Sequence, residues 1–153
     1  MAEKGAYTYD YPRPMVTVDA AILSTREGKR CVLLIRRGRP PFEGMWALPG
    51  GFVEMDEPLE TAVGRELAEE TGLTGIALRQ LHTFGDPNRD PRGRSISVVY
   101  RGEAPPDAAV TGGDDAAEAD WFPIDALPPL AFDHDKIVKY LNEVGWMEKR
   151  SCG

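Results

Sequence analysis

Cysteine and histidine are scarce, with two of each in 153 residues. Cys31 lies in the apolar run Cys31-Val32-Leu33-Leu34-Ile35 and reads as a small core side chain, while Cys152 sits one residue from the end, so no disulfide framework is expected. Nor is a zinc centre, which needs paired Cys or His at close spacing. No run of eighteen apolar residues exists, and the residues after Met1 form no apolar leader. Neither a membrane span nor secretion is indicated, and the expected compartment is the cytoplasm. Basic charge is in deficit too: 18 Lys and Arg against 25 Asp and Glu leave a net charge of -7. That balance argues against a protein that coats nucleic acid by displacing counterions from phosphates. What remains is a chain with 42% hydrophobic residues, long enough to bury one core without staples.

The deficit is local. Between Gly51 and Leu73 stand seven acids, Glu54, Asp56, Glu57, Glu60, Glu66, Glu69 and Glu70, and one base, Arg65, so this segment holds nearly the whole net charge. Its second half reads as a helix over 58–71, with Pro58 in the first turn and Gly72 as the C-terminal cap. At 100° per residue Leu59, Ala62, Val63 and Leu67 share one face, Glu66 and Glu70 fall within the same arc, and Glu69 lies at its edge. An amphipathic helix ordinarily sends its glutamates to the other side, and like charges four apart repel by about 0.2–0.5 kcal/mol. Two readings remain open on spacing alone. One is a solvated acidic helix end. The other is a site where carboxylates at i, i+3 and i+4 converge on a hard divalent cation such as magnesium, which takes oxygen ligands and keeps several waters.

Elsewhere the pattern alternates strand and loop. Strands are expected over 15–24 and 31–35 with a turn at 26–29, short extended pieces over 46–53, and further strands over 76–84, 95–100 and 119–124. Residues 36–41 form a basic loop, 85–94 a polar one, and 104–117 a loop rich in Pro, Gly, Ala and Asp. A closing helix over 133–144 carries Ile137, Val138 and Leu141 at helical spacing. The expected organisation is a lead over 1–14 and one domain over 15–148.

Gly51, five residues, Glu57, seven residues, Arg65-Glu66-Leu67, one residue, Glu69-Glu70, one residue and Gly72-Leu73 match the Nudix box at every specified position. On that motif, residues 51–73, the chain resembles the Nudix hydrolases. The resemblance implies an α/β Nudix fold, an α/β/α sandwich around a mixed β-sheet, and metal-dependent hydrolysis of a nucleoside diphosphate linked to another moiety. It makes Glu66 and Glu70 the main ligands of Mg2+, with Mn2+ as the alternative ion. Glu69 becomes a further ligand or the base near the attacking water. The Gly50 carbonyl is another ligand, since paired glycines let backbone approach an ion closely. Glu57 and Arg65 become the pair that orients the glutamates, Arg65 through a bidentate contact that lysine lacks. The general base falls outside the box in some relatives. Here the candidates are Asp114, Asp115 and Glu118, with Asp115 preferred.

Four further stretches are similar to the ADP-ribose pyrophosphatase branch: Trp46-Ala47-Leu48-Pro49-Gly50-Gly51-Phe52, the loop 85–93, the run 113–119, and Leu130-Ala131-Phe132-Asp133-His134. The implied reaction is ADP-ribose plus water to AMP plus ribose 5-phosphate. Arg89, Arg92 and Arg94 from one loop, and Arg36, Arg37 and Arg39 from the other, can offer guanidinium forks to its oxygens; Arg36, Arg89 and Arg92 are preferred. Phe42, Trp46 and Phe84 are candidates to stack on adenine, and His134 reads as a local hydrogen-bonding residue. The alternatives are a house-cleaning hydrolase of nucleoside triphosphates such as oxidised dGTP, and a noncatalytic ADP-ribose sensor. The segment after Trp121 reads as too short for the added DNA-binding domain such a sensor uses. The expected partner is a small-molecule nucleotide rather than nucleic acid or membrane, with a homodimer through the tyrosine-rich lead.

Overall fold

A computed structural model describes residues 5–113 and 115–151, with side chains described through residue 144. Asp114 and Cys152 lie outside the described residues. The elements run β1 (Met15–Arg26), β2 (Lys29–Arg37), β3 (Trp46–Ala47), β4 (Gly50–Phe52), α1 (Leu59–Thr71), β5 (Arg79–Phe84), β6 (Ser95–Glu103), β7 (Ala116–Pro123) and α2 (His134–Ser151).

One seven-stranded sheet follows the order β3-β2-β1-β6-β5, with β4 added to β1 and β7 to β2. β1 runs parallel to β6 and antiparallel to β2 and β4, so the sheet is mixed. β1 is buried from Thr17 to Ser24 because elements cover both its faces, which is why it reads as a nearly continuous apolar run. Alternation sorts its side chains. Val18, Ala20 and Ile22 pack with Leu33 against Ala62, Val63 and Leu67 of α1, while Ala21 and Leu23 pack with Val32 and Leu34 against Ile137, Val138 and Leu141 of α2. A helix on each side of a mixed sheet is the α/β/α sandwich.

Several boundaries differ from the sequence pattern. Pro58 precedes α1 in an extended conformation, and the Ala62 amide donates to its carbonyl at 3.0 Å. Gly72 ends the helix at φ 76°, as expected of an αL cap. β7 starts at Ala116, inside the stretch read as loop, because Ala116 and Glu118 pair with Arg37 and Arg36 across a bulge rather than through an apolar repeat. β6 runs on to Glu103, and α2 continues to Ser151. Residues 5–14 form no strand, and Tyr7, Tyr9 and Tyr11 are exposed. Among the described residues no helix is long and apolar enough to cross a membrane.

The topology places one discontinuity. The edge of β1 opposite β6 pairs with β2 at Leu23–Arg26 but with β4 at Thr17–Asp19. Between these registers the Ala20 amide donates to the Pro49 carbonyl at 2.8 Å. The sheet therefore splays beside Asp19, and the splay opens a cleft.

Leu67 is 2% exposed and joins α1 to β1. Leu67→Ala is expected to lower unfolding free energy by about 3 kcal/mol, read by chemical denaturation; a loss under about 1 kcal/mol would contradict this packing.

Candidate functional site

The inward stripe of α1 does not stop at Leu67. Glu70 lies three residues further on and is 6% exposed. Its Oε1 accepts a hydrogen bond from the Gly50 amide at 2.7 Å. Gly50 sits opposite Asp19 at a register position flanked by the Ala20-to-Pro49 and Val53-to-Val16 hydrogen bonds, so its own amide and carbonyl lie off the β1 ladder. Burial pushes the Glu70 carboxyl up to about 8; the Glu66 and Asp19 carboxylates add to the rise, and the Gly50 amide and Arg37 oppose it.

Two glycines make this approach possible. A Cβ at Gly51 would meet Glu66 Oε1 at 2.6 Å, and one at Gly50 would collide with the Val18 carbonyl and the Asp19 carboxylate. Backbone and three acids thus share a space that no larger residue at 50 or 51 would leave.

Arg65 gathers the remaining acids. Its Nε and Nη2 donate to the two oxygens of Glu57 at 2.6 and 2.9 Å, Nη1 donates to Glu66 at 3.0 Å and Glu69 at 3.3 Å, and Nη2 also reaches the Phe52 carbonyl at 3.3 Å. The Glu57 carboxyl is held below its usual range chiefly by the Arg65 hydrogen bonds, and these raise the arginine in turn. One of the two readings of the spacing has Glu66, Glu69 and Glu70 converge. Instead Glu66 and Glu69 turn to Arg65 while Glu70 turns inward to Gly50, because the guanidinium meets the charge of two and the buried amide that of the third. Among the described residues no three His, Cys, Asp or Glu side chains stand close enough to hold a metal ion. The donor set nonetheless fits one. It is oxygen-only, it holds the Glu70 carboxyl out of water with one backbone amide against it, and its glycine backbone leaves room.

The cleft has a second, cationic wall. Arg37 is half-buried, and burial together with Arg92 lowers its pKa. Arg37 and Arg92 stand 5.0 and 5.4 Å from the centroid of the Phe132 ring, and Arg92 also stands 5.0 Å from that of Phe52. Phe132 itself has a positive φ of 54°, an uncommon conformation for so large a residue. His134 opens α2, accepts the Leu48 amide on Nδ1 at 3.0 Å, and has its pKa lowered by burial, so it hydrogen-bonds as expected, but across 86 positions rather than locally.

Glu57, Arg65, Glu66, Glu69, Glu70 and Gly50 are therefore assembled along the side of α1 that meets β4. Arg92 lines the cleft, its guanidinium paired with Asp90 at 2.9 and 3.1 Å. Arg89 also lies at the cleft wall but is buried in a two-fold contact with Asp133 at 2.7 and 3.0 Å that ties loop 85–94 to the start of α2. Arg36 points away, donating to Glu118 at 3.1 Å and to the Gly44 carbonyl at 3.1 Å, and its neighbour Arg37 lines the cleft. Asp115 pairs with Arg39 outside the cleft lining. Of the stacking candidates, Trp46 packs on Phe122 at 4.7 Å and Phe84 on His82 at 5.2 Å, and Phe42 meets Phe132 at 4.9 Å; Phe52 and Phe132 line the cleft. Asp19 was missed altogether, although an acid inside the apolar run of β1 is a readable signal. It is buried and accepts a hydrogen bond from the Ser97 hydroxyl.

A mixed sheet between two helices, with a glutamate-rich helix set against a glycine strand, defines a Nudix fold. A NUDIX domain model matches residues 13–141, and the chain belongs to that family of hydrolases. ADP-ribose pyrophosphatase from Methanocaldococcus jannaschii is 46% identical over 134 residues, covering 84% of this chain and 73% of the relative. The ADPR responsive transcriptional repressor NtrR of Acinetobacter baylyi is 39% identical over 134 residues, covering 85% of this chain but only 54% of the repressor. The NUDIX domain of Shewanella oneidensis NrtR, solved in complex with ADP ribose, superposes with a TM-score of 0.80 at 34% identity, covering 88% of this chain and 92% of that one.

An acid whose folded pKa is raised stabilises the fold fully below its unfolded value and loses that contribution as pH rises through the folded value. For Glu70 the window runs from 4.5 to about 8. His134, with a lowered pKa, works in the opposite direction below its ordinary value of 6.5, so the readout is a difference between two proteins. In EDTA, Glu70→Gln is expected to gain stability relative to the parent between pH 5 and pH 8 in thermal melts. A difference flat across that window would contradict the burial of Glu70. Arg65→Lys, which cannot reproduce the fork, is expected to cost about 2 kcal/mol by denaturation; full stability would show that the fork is dispensable.

Proposed function

We propose that this protein is a magnesium-dependent ADP-ribose pyrophosphatase that releases AMP and ribose 5-phosphate. The observation that carries the reading is the meeting, in one cleft, of Glu70 under the Gly50 backbone with Arg37 and Arg92 around Phe132. One end calls for a cation and the other for an anion, which is the polarity that a metal-bound diphosphate matches. Relatives named for ADP-ribose support the choice of substrate.

Glu66 and Glu70 would hold the ion, with the Gly50 carbonyl as a further protein ligand. Bound there, magnesium, or manganese in its place, would supply positive charge against the diphosphate and lower the pKa of a water. The remaining work belongs to the chain. Arg37 and Arg92 bind diphosphate oxygens as planar forks. Glu57 fixes Arg65, and Arg65 sets the positions of Glu66 and Glu69. Glu69, whose side chain is 41% exposed and open to water, takes the proton of the attacking water. Asp115 is the alternative base, and the place of Glu69 next to Glu70 on α1 favours Glu69. The water oxygen bonds to one phosphorus as the bridging P–O bond breaks, and the freed phosphate leaves on the other half of the substrate.

Purified protein with Mg2+ and ADP-ribose is expected to yield AMP and ribose 5-phosphate. EDTA should stop the reaction, and Glu70→Gln should lower kcat/KM by about 100-fold or more. Binding of ADP-ribose without turnover would instead make the protein a sensor. Preferential release of pyrophosphate from a nucleoside triphosphate would place it among the house-cleaning enzymes.

A further inference from the structure

The cleft floor is ruled into rows. β1 and β6 lie in parallel register, so Asp19 stands beside Val99, Thr17 beside Ser97 and Met15 beside Ser95. β4 extends two of these rows, with Gly50 opposite Asp19 and Phe52 opposite Thr17. The Ser97 hydroxyl donates to Asp19, which puts the odd-numbered residues of both strands on one face. Ser95 is thus four residues along β6 from the row that holds Asp19 and Gly50, roughly 13 Å at about 3.3 Å per residue. Phe52 lies halfway.

Ser95 is 1% exposed, it lines the cleft, and its hydroxyl has no hydrogen-bond partner. Buried hydroxyls are rarely left this way. Among the described residues the other orphaned buried polar atom is Trp121 Nε1, whose ring packs with the α1 core and is not part of the cleft lining. Ser97, on the same face, already has its partner in Asp19. One row from Ser95 and across β1, the same cleft offers the ring of Phe52 with the Arg92 guanidinium 5.0 Å from its centroid, a flat surface suited to a planar heteroaromatic group.

Resting on the reading of this cleft as a nucleotide site, we infer that Ser95 recognises the nucleotide's base: its hydroxyl hydrogen-bonds the polar edge of a purine stacked beside Phe52, while the diphosphate lies at the Glu70 end. The separation supports this assignment. A diphosphate at Gly50 cannot reach Ser95, whereas a base carried on a ribose covers that stretch. A hydroxyl both donates and accepts, so it can satisfy an amino group or a ring nitrogen. A site built around such a bond favours a ligand that carries a purine's polar edge over a sugar phosphate that lacks one.

The test uses AMP, which undergoes no turnover, titrated calorimetrically into the full chain with magnesium, with IMP and ribose 5-phosphate as comparison ligands. Ser95→Ala is expected to weaken AMP and IMP binding alike by about tenfold, to leave ribose 5-phosphate binding unchanged, and not to lower the melting temperature. Ser95→Cys keeps the volume with a much weaker hydrogen-bonding group, and should behave like the alanine variant if that one folds poorly. Unaltered AMP affinity, equal weakening of AMP and ribose 5-phosphate, or no AMP binding by the parent would overturn the assignment. A parent that binds AMP with the Ser95 dependence, yet leaves ADP-ribose intact, would sink the hydrolase reading and keep this one.

Discussion

Docking α1 on the sheet takes Glu70 out of water. Val63 and Leu67 must be buried for the helix to adhere, and a residue three positions beyond Leu67 on a 3.6-residue turn follows them inward. The carboxylate arrives beside Asp19 and Glu66 in a space that Gly50 and Gly51 leave open, and the Gly50 amide is its nearest compensation. Helix packing and the concentration of negative charge are therefore one event. No rearrangement of loops could relieve the acid without undocking the helix. Arg65 solves the same problem for the acids one face round, through a fork on Glu57 and a single further nitrogen shared by Glu66 and Glu69.

The transfer of the β1 edge from β2 to β4 gives this charge somewhere to act. If β2 had paired with β1 along its whole length, Asp19 would lie under a closed sheet. The splay exposes Thr17 and Asp19 to a cleft whose other wall carries Arg37, Arg92 and Phe132. Loop 85–94 is stiffened for the purpose by two ion pairs, Arg89 with Asp133 and Arg92 with Asp90, so the cationic wall is set before any ligand arrives.

Much of this was legible in the sequence where a period could be read. The α1 stripe, its Gly72 cap and the continuous apolar runs of β1 and β2 are local patterns, and they located the acidic helix and the sheet that receives it. Residues whose role depends on tertiary pairing were harder. Arg36 and Arg37 are equivalent in composition, and only strand alternation decides which one faces the cleft. Arg89 looks like a loop cation until Asp133 is brought to it from 44 positions away. Phe52 and Phe132 carry no signal distinguishing them from Trp46 or Phe84, since an aromatic ring reads alike in a core and at a cleft wall. Asp19 could have been found, as a lone acid in a buried strand, and the apolar run around it drew attention to packing instead.

Direct titration of Mn2+ into protein free of nucleotide asks most simply whether the carboxylates around Glu70 hold a divalent cation. Saturable binding by the parent that weakens at least tenfold in both Glu66→Gln and Glu70→Gln is expected. Equal Mn2+ affinity in the parent and both variants would contradict it.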